Sequence, residues 1–130
     1  MKLSEAIRLG AMLKPQAFGS LFNGMGTCAL GAAADAVGIL DTDTHWFKRD
    51  KRAPEHWKPV ATSMAECPQC GADWPLPRTG AFTKRDVQTA VVHLNNDHRW
   101  TRERIADWVA TIEAQQEPST ESPAPVAVEA

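Results

Sequence analysis

The chain has 130 residues, 14 Lys or Arg, 16 Asp or Glu and a formal net charge of −2 at pH 7, enough for one domain with one modest core. Four of the acidic residues fall from Glu113 onward, where Lys and Arg are absent, so the rest carries 14 basic against 12 acidic groups, about +2, too little for charge alone to indicate nucleic acid. Charges at Lys2, Glu5 and Arg8 interrupt the apolar run that a secretory signal needs, and no stretch approaches a membrane span of about 18 apolar residues; with an odd count of three cysteines, the chain reads as soluble, cytoplasmic and without a membrane partner.

In chain order, the first helix is expected over residues 4–14, with Ser4 as N-cap, Leu3, Ile7 and Ala11 on one face and Pro15 as the stop. The glycines of "AFGSLFNGMG" then mark a loop that carries Phe18, Leu21 and Phe22 to the core. A second helix lies in "TCALGAAADAVG", with Thr27 as cap and Gly38 as the left-handed close. Its small residues suit close packing against another element. Residues 41–66 lack periodicity and interleave Trp46, Phe47 and Trp57 with Lys48, Arg49, Lys51, Arg52 and Lys58. Such a mixture can contact nucleic acid, but a solvated loop with its tryptophans tucked into the core accounts for it better.

A third helix is expected from Thr83 to about residue 95, opened by Thr83 and Asp86 as an approximate capping box and striped by Val87, Ala90, Val91 and Leu94. The fourth, "TRERIADWVATIEA", has Thr101 as cap, a Trp100–Ile105 hydrophobic staple and a stripe of Ile105, Trp108, Val109 and Ile112. The fold class is therefore mainly α: about four short helices with a zinc knuckle, and room for a small β-hairpin around it. A single domain spans residues 1–112; residues 113–130, rich in Glu, Pro, Ser and Ala, form a disordered tail, since they offer too little apolar surface to offset ordering entropy.

The chemistry centres on "AECPQCGADW". Cys67 and Cys70 are separated by two residues and followed by Gly71, the spacing at which a tight turn points two thiolates at one metal ion. A redox dithiol would sit at a helix N-terminus, which Gly71, Pro75 and Pro77 disfavour. Structural zinc takes four ligands. His93 and His98 complete C-x2-C-x22-H-x4-H, with the histidines at zinc-finger spacing. A second set would use Cys28 with Cys67, Cys70 and one histidine, and His45 and His56 remain further candidates.

Taken together, "TCALGAAADAVG", "CPQCG" and "HLNNDHRWTRERIADWV" resemble a group of small uncharacterised proteins encoded by bacteria and their phages. That group pairs a Cys-Ala-Leu-Gly-Ala helix start with a CPxCG knuckle and a His-Leu-Asn-Asp element before a Trp-bearing helix. The likeness covers most of residues 1–112, implies a fold and names no reaction; here Asn96 stands where the pattern has Asp, and Asp97 follows. The function expected is a zinc-stabilised, non-catalytic binding or regulatory module, phage- or prophage-related, whose macromolecular partner is protein in preference to DNA. One alternative is a DNA-binding regulator in which Arg99, Arg102 and Arg104 meet phosphates, although no second helix follows "WTRERIADWVA" to complete a helix-turn-helix. The other is an enzyme with Cys28 at a helix start as nucleophile and His45 or His56 as base.

Overall fold

The structure, a computed structural model, describes residues 1–19, 24–39, 53–71 and 84–116. In chain order these form α1 (Leu3–Ala11), α2 (Ala29–Ala36), a 3-10 turn (Glu55–Trp57) leading into α3 (Lys58–Ala61), β1 (Met64–Glu66), β2 (Lys84–Asp86), α4 (Val87–Asn96) and α5 (Arg102–Gln116). The fold is mainly α, with one short helix more than the four expected. No helix among the described residues is long and apolar enough to cross a membrane.

The helix ends differ from the sequence expectation where a tertiary partner outcompetes a local one. Ser4 does not cap α1. It lies inside the helix, and its backbone N–H and its hydroxyl both donate to the Glu113 carboxylate of α5, at 3.0 and 2.6 Å. An anionic side chain from across the fold thus sits on the positive end of α1, while Glu5 accepts from the Lys2 backbone N–H at 2.7 Å. α1 also stops earlier than residue 14. The carbonyls of Ala11 and Lys14 are taken by Arg102 Nη2 at 3.2 and 2.8 Å, and the residue before Pro15 is biased away from helix.

For α2 the cap is Cys28 rather than Thr27: its sulfur accepts from the Gly31 N–H at 3.4 Å. Thr27 is buried, and its side-chain and backbone oxygens both accept from Arg102 Nη1. The close of α2 follows the sequence. Gly38 has φ +79°, its N–H reaches the Asp35 carbonyl, and the Ile39 N–H reaches that of Ala34, the paired bonds of a glycine-terminated helix. The small residues of α2 face α1 at close range. A Cβ on Gly10 would lie 1.7 Å from the Ala32 carbonyl oxygen, so this crossing requires glycine.

α4 begins at Val87, four residues after the expected Thr83, because Lys84–Asp86 are drawn into an antiparallel ladder with Met64–Glu66. Asp86 becomes the N-cap, its Oδ1 accepting from the Thr89 N–H at 2.8 Å. α5 opens as expected, with Thr101 Oγ1 accepting from the Arg104 N–H at 3.1 Å and with both Trp100 and Ile105 buried. It then continues to Gln116, past the domain boundary expected at residue 112. The four-residue extension contains the buried Glu113 that holds Ser4, so residues 113–116, expected in the tail, are helical; residues 117–130 lie outside the described residues.

One core joins the helices: Leu3 and Ile7 of α1, Leu30 and Ala33 of α2, Trp57, Val60 of α3, Val87, Val91 and Leu94 of α4, and Ile105 and Val109 of α5. Trp57 is 1% exposed, as expected of a tucked tryptophan, but its segment is not the expected loop: Glu55–Trp57, Lys58–Ala61 and Met64–Glu66 are regular elements. The basic Lys48, Arg49, Lys51 and Arg52, with His45, Trp46, Phe47, Leu21, Phe22 and Thr83, lie outside the described residues.

Candidate metal centre

β1 delivers the chain directly into the Cys67 turn, and its partner β2 runs without a break into α4, which carries His93. The ladder Met64–Asp86, Ala65–Arg85, Glu66–Lys84 therefore fixes the knuckle beside the end of α4. The turn itself is tight. The Cys70 N–H donates to Cys67 Sγ at 3.3 Å and the Gly71 N–H to the Cys67 carbonyl at 2.7 Å, with Gly71 at φ +60°, a left-handed conformation suited to glycine.

The far side of the centre is the α4–α5 junction. His93 is on the last turn of α4, and the His93 carbonyl receives the Asp97 and His98 N–H groups at 2.9 and 3.4 Å. Arg99 follows at φ 56°. A non-glycine residue there is uncommon and costs free energy, and it reverses the chain so that the Trp100 N–H returns to the Leu94 carbonyl at 3.0 Å. This reversal swings His98 back over His93, their rings 4.5 Å apart at 77°.

Four ligand atoms converge. Those of Cys67, Cys70, His93 and His98 all lie within 4.8 Å of one another, and Cys70 Sγ is 3.4 Å from His93 Nε2 and 3.2 Å from His98 Nε2. A tetrahedron with Zn–S of about 2.3 Å and Zn–N of about 2.0 Å has an S···N edge of about 3.5 Å, so the spacing suits a tetrahedral ion of that size. Cys67 is fully buried and the other three are partly exposed. The arrangement is a Cys2His2 cluster able to hold a metal ion.

The surroundings prepare the donors. His93 Nδ1 is 2.7 Å from Asp97 Oδ2; a carboxylate only accepts, so in the neutral ring Nδ1 carries the proton and Nε2 presents its lone pair to the cluster. The His98 imidazole is held below its ordinary value of 6.5, chiefly by burial and further by the neighbouring His93, against the opposing pull of Asp97; its neutral, ligating form is thereby favoured. Trp100 Nε1–H donates to Gln69 Oε1 at 2.7 Å, tying the x-x of the knuckle to the junction by a second route. Gln69 does not figure in the sequence reading, and Asp97 figures there only as the acid that follows Asn96, with no role toward His93. Asp97 had a signal in its i, i+4 spacing from His93; Gln69 had none.

The competing candidates lie elsewhere. Cys28 is buried at the start of α2, and burial pushes its thiol above the ordinary 9.0 against the lowering pull of the Gly31 and Leu30 N–H groups and of Arg102. A raised value works against the nucleophile reading. His56 Nε2 is 2.6 Å from the Met1 carbonyl, beside Trp57 Nε1–H, which donates to the same oxygen at 3.0 Å. That pair lines a cleft with Leu3, Pro59 and Val60, which contains none of the four candidate ligands.

The three arginines separate as well. Arg102 is 6% exposed and spends its Nη groups on the carbonyls of Ala11, Lys14, Pro15 and Thr27 and on the Thr27 hydroxyl, so it is a buried brace between α1, α2 and α5 and is withdrawn from any phosphate. Arg99 and Arg104 are exposed, stacked on Phe18 at 4.2 Å and on Trp100 at 3.7 Å. In comparisons with known proteins, the chain matches no family model, no curated protein and no solved structure.

Proposed function

We propose that the protein is a small, non-catalytic binding module of the bacterial or phage cytoplasm, whose C-terminal half is held together by one structural zinc ion at Cys67, Cys70, His93 and His98. The observation that carries this reading is the convergence of the four ligand atoms within 4.8 Å. Two thiolates and two imidazoles form a closed tetrahedron that leaves no position for a reactive water, which supports a structural rather than a hydrolytic ion. The ion would join the β1 knuckle to the α4–α5 junction, adding to the three-residue ladder, the Gln69–Trp100 hydrogen bond and the shared core that already link them. In a domain with so small a core, metal binding contributes directly to folding free energy.

Three cysteines, none of them in a disulfide among the described residues, support a reducing compartment. The burial of Arg102 supports a protein partner over DNA, because it removes one of three phosphate-binding candidates and leaves Arg99 and Arg104 next to the acidic Asp97 and Glu103. Native mass spectrometry of the purified chain tests the zinc reading. The expected result is one zinc per chain, lost on removal of Cys67 or Cys70 and kept on Cys28→Ser; a metal-free chain that is fully folded overturns it.

A further inference from the structure

The three cysteines occupy two different chemical settings. Cys28 is buried, with its thiol held neutral by its surroundings. Cys67 and Cys70 lie in one turn, their sulfurs within 4.8 Å of each other. Cys67 is fully buried while Cys70 is partly exposed, so an oxidant arriving from solvent meets the Cys70 sulfur first. A thiolate held by zinc keeps its nucleophilic lone pairs, whereas a buried thiol is inert.

We infer, resting on the zinc reading above, that this centre is a peroxide-sensitive switch: oxidation of Cys67 and Cys70 to a disulfide ejects the zinc and releases the α4–α5 junction from the knuckle. The Cys70 thiolate attacks one oxygen of hydrogen peroxide and breaks the O–O bond, giving the sulfenic acid and hydroxide. The Cys67 thiolate then attacks the Cys70 sulfur, forming the S–S bond and expelling a second hydroxide. Two protons convert the hydroxides to water. Peroxide gains two electrons, the two thiolates lose them, and zinc, left with two imidazoles, dissociates.

The consequence is local. The disulfide closes within the turn already bent by the Cys70 N–H to Cys67 Sγ bond, so the knuckle keeps its shape. His93 and His98 lose the ion they share, and the strained Arg99 reversal loses the ligand bond that over-determines it. α1 and α2 contain none of the four ligands and stay packed.

The test starts from the full chain purified under reducing conditions, with its zinc content measured before any oxidant is added. Hydrogen peroxide at a few equivalents is then titrated in, with released zinc followed by a chromogenic chelator and the cysteines mapped by differential alkylation. The expected result is one zinc released per Cys67–Cys70 disulfide formed, Cys28 remaining a thiol, and full recovery of bound zinc on addition of a thiol reductant and zinc. Retention of zinc with both thiols intact, at peroxide levels that oxidise free cysteine, overturns the switch while leaving the zinc reading standing. Release accompanied by sulfinic or sulfonic acids in place of the disulfide overturns it as well. Absence of zinc before oxidation overturns both.

Discussion

The imidazole of His93 is held by the carboxylate of Asp97, one helical turn later, at an Nδ1···Oδ2 distance of 2.7 Å. The contact fixes the ring with Nε2 toward the Cys70 sulfur. Asp97→Asn is expected to keep the hydrogen bond, lose the charge and lower zinc affinity by about 10- to 100-fold, with one zinc still bound at saturation. Competition against a chelator of known affinity measures it; an unchanged affinity would remove Asp97 from the centre.

The four ligands should behave as a unit. His93→Ala, His98→Ala and Cys67→Ser are each expected to lose zinc on dialysis against a weak chelator, and Cys28→Ser to retain it. Chelation of the wild-type chain should raise hydrogen exchange in Arg102–Gln116 and at the end of Val87–Asn96 more than in Leu3–Ala11. Equal exchange changes in both halves would contradict the placement of the ion.

Glu113 ties α5 to the start of α1. Truncation after Gln116 is expected to leave the melting temperature nearly unchanged, because residues 117–130 contain no large apolar residue beyond two valines. Truncation after Ile112 removes the acceptor of both Ser4 hydrogen bonds, and Glu113→Ala should likewise cost about 1–3 kcal/mol, the cost of leaving buried donors unsatisfied. Thermal melts of the three chains separate these effects.

Gly10→Ala would place a methyl group 1.7 Å from the Ala32 carbonyl oxygen. Backbone cannot yield as a flexible side chain does, so α1 and α2 must separate. A loss of about 1–3 kcal/mol is expected in denaturant unfolding, with zinc stoichiometry unchanged.

Cys28 predicts a pH effect. Burial holds its thiol above the ordinary value of 9.0, so the fold favours the neutral form. Its contribution to stability is complete below pH 9 and is lost as pH rises from there towards the raised folded value, where the unfolded chain alone has ionised. Cys28→Ser should flatten that alkaline decline. At mildly acidic to neutral pH, Cys28 in the native chain should resist iodoacetamide; rapid alkylation there would revive it as a nucleophile.

The clustering of Cys67, Cys70, His93 and His98 was legible in the sequence because its information is local. Two cysteines in one turn and two histidines around one helix end can each be paired by counting residues, and the same holds for the Thr101 cap, the Trp100–Ile105 staple and the Gly38 close. Helix ends that depend on partners remote in sequence were not legible. Ser4 is a good local cap until Glu113, 109 residues away, takes both its donors; Thr83 and Asp86 read as a capping box until 84–86 pair with 64–66. Arg102 read as a surface charge because its carbonyl cage is assembled from Ala11 at the end of α1, from Lys14 and Pro15 after it, and from Thr27 before α2. Spacing along the chain sets which donors can share an ion, but only the packed fold decides which polar groups lose their water, and a desolvated group must take whatever partner the tertiary structure brings to it.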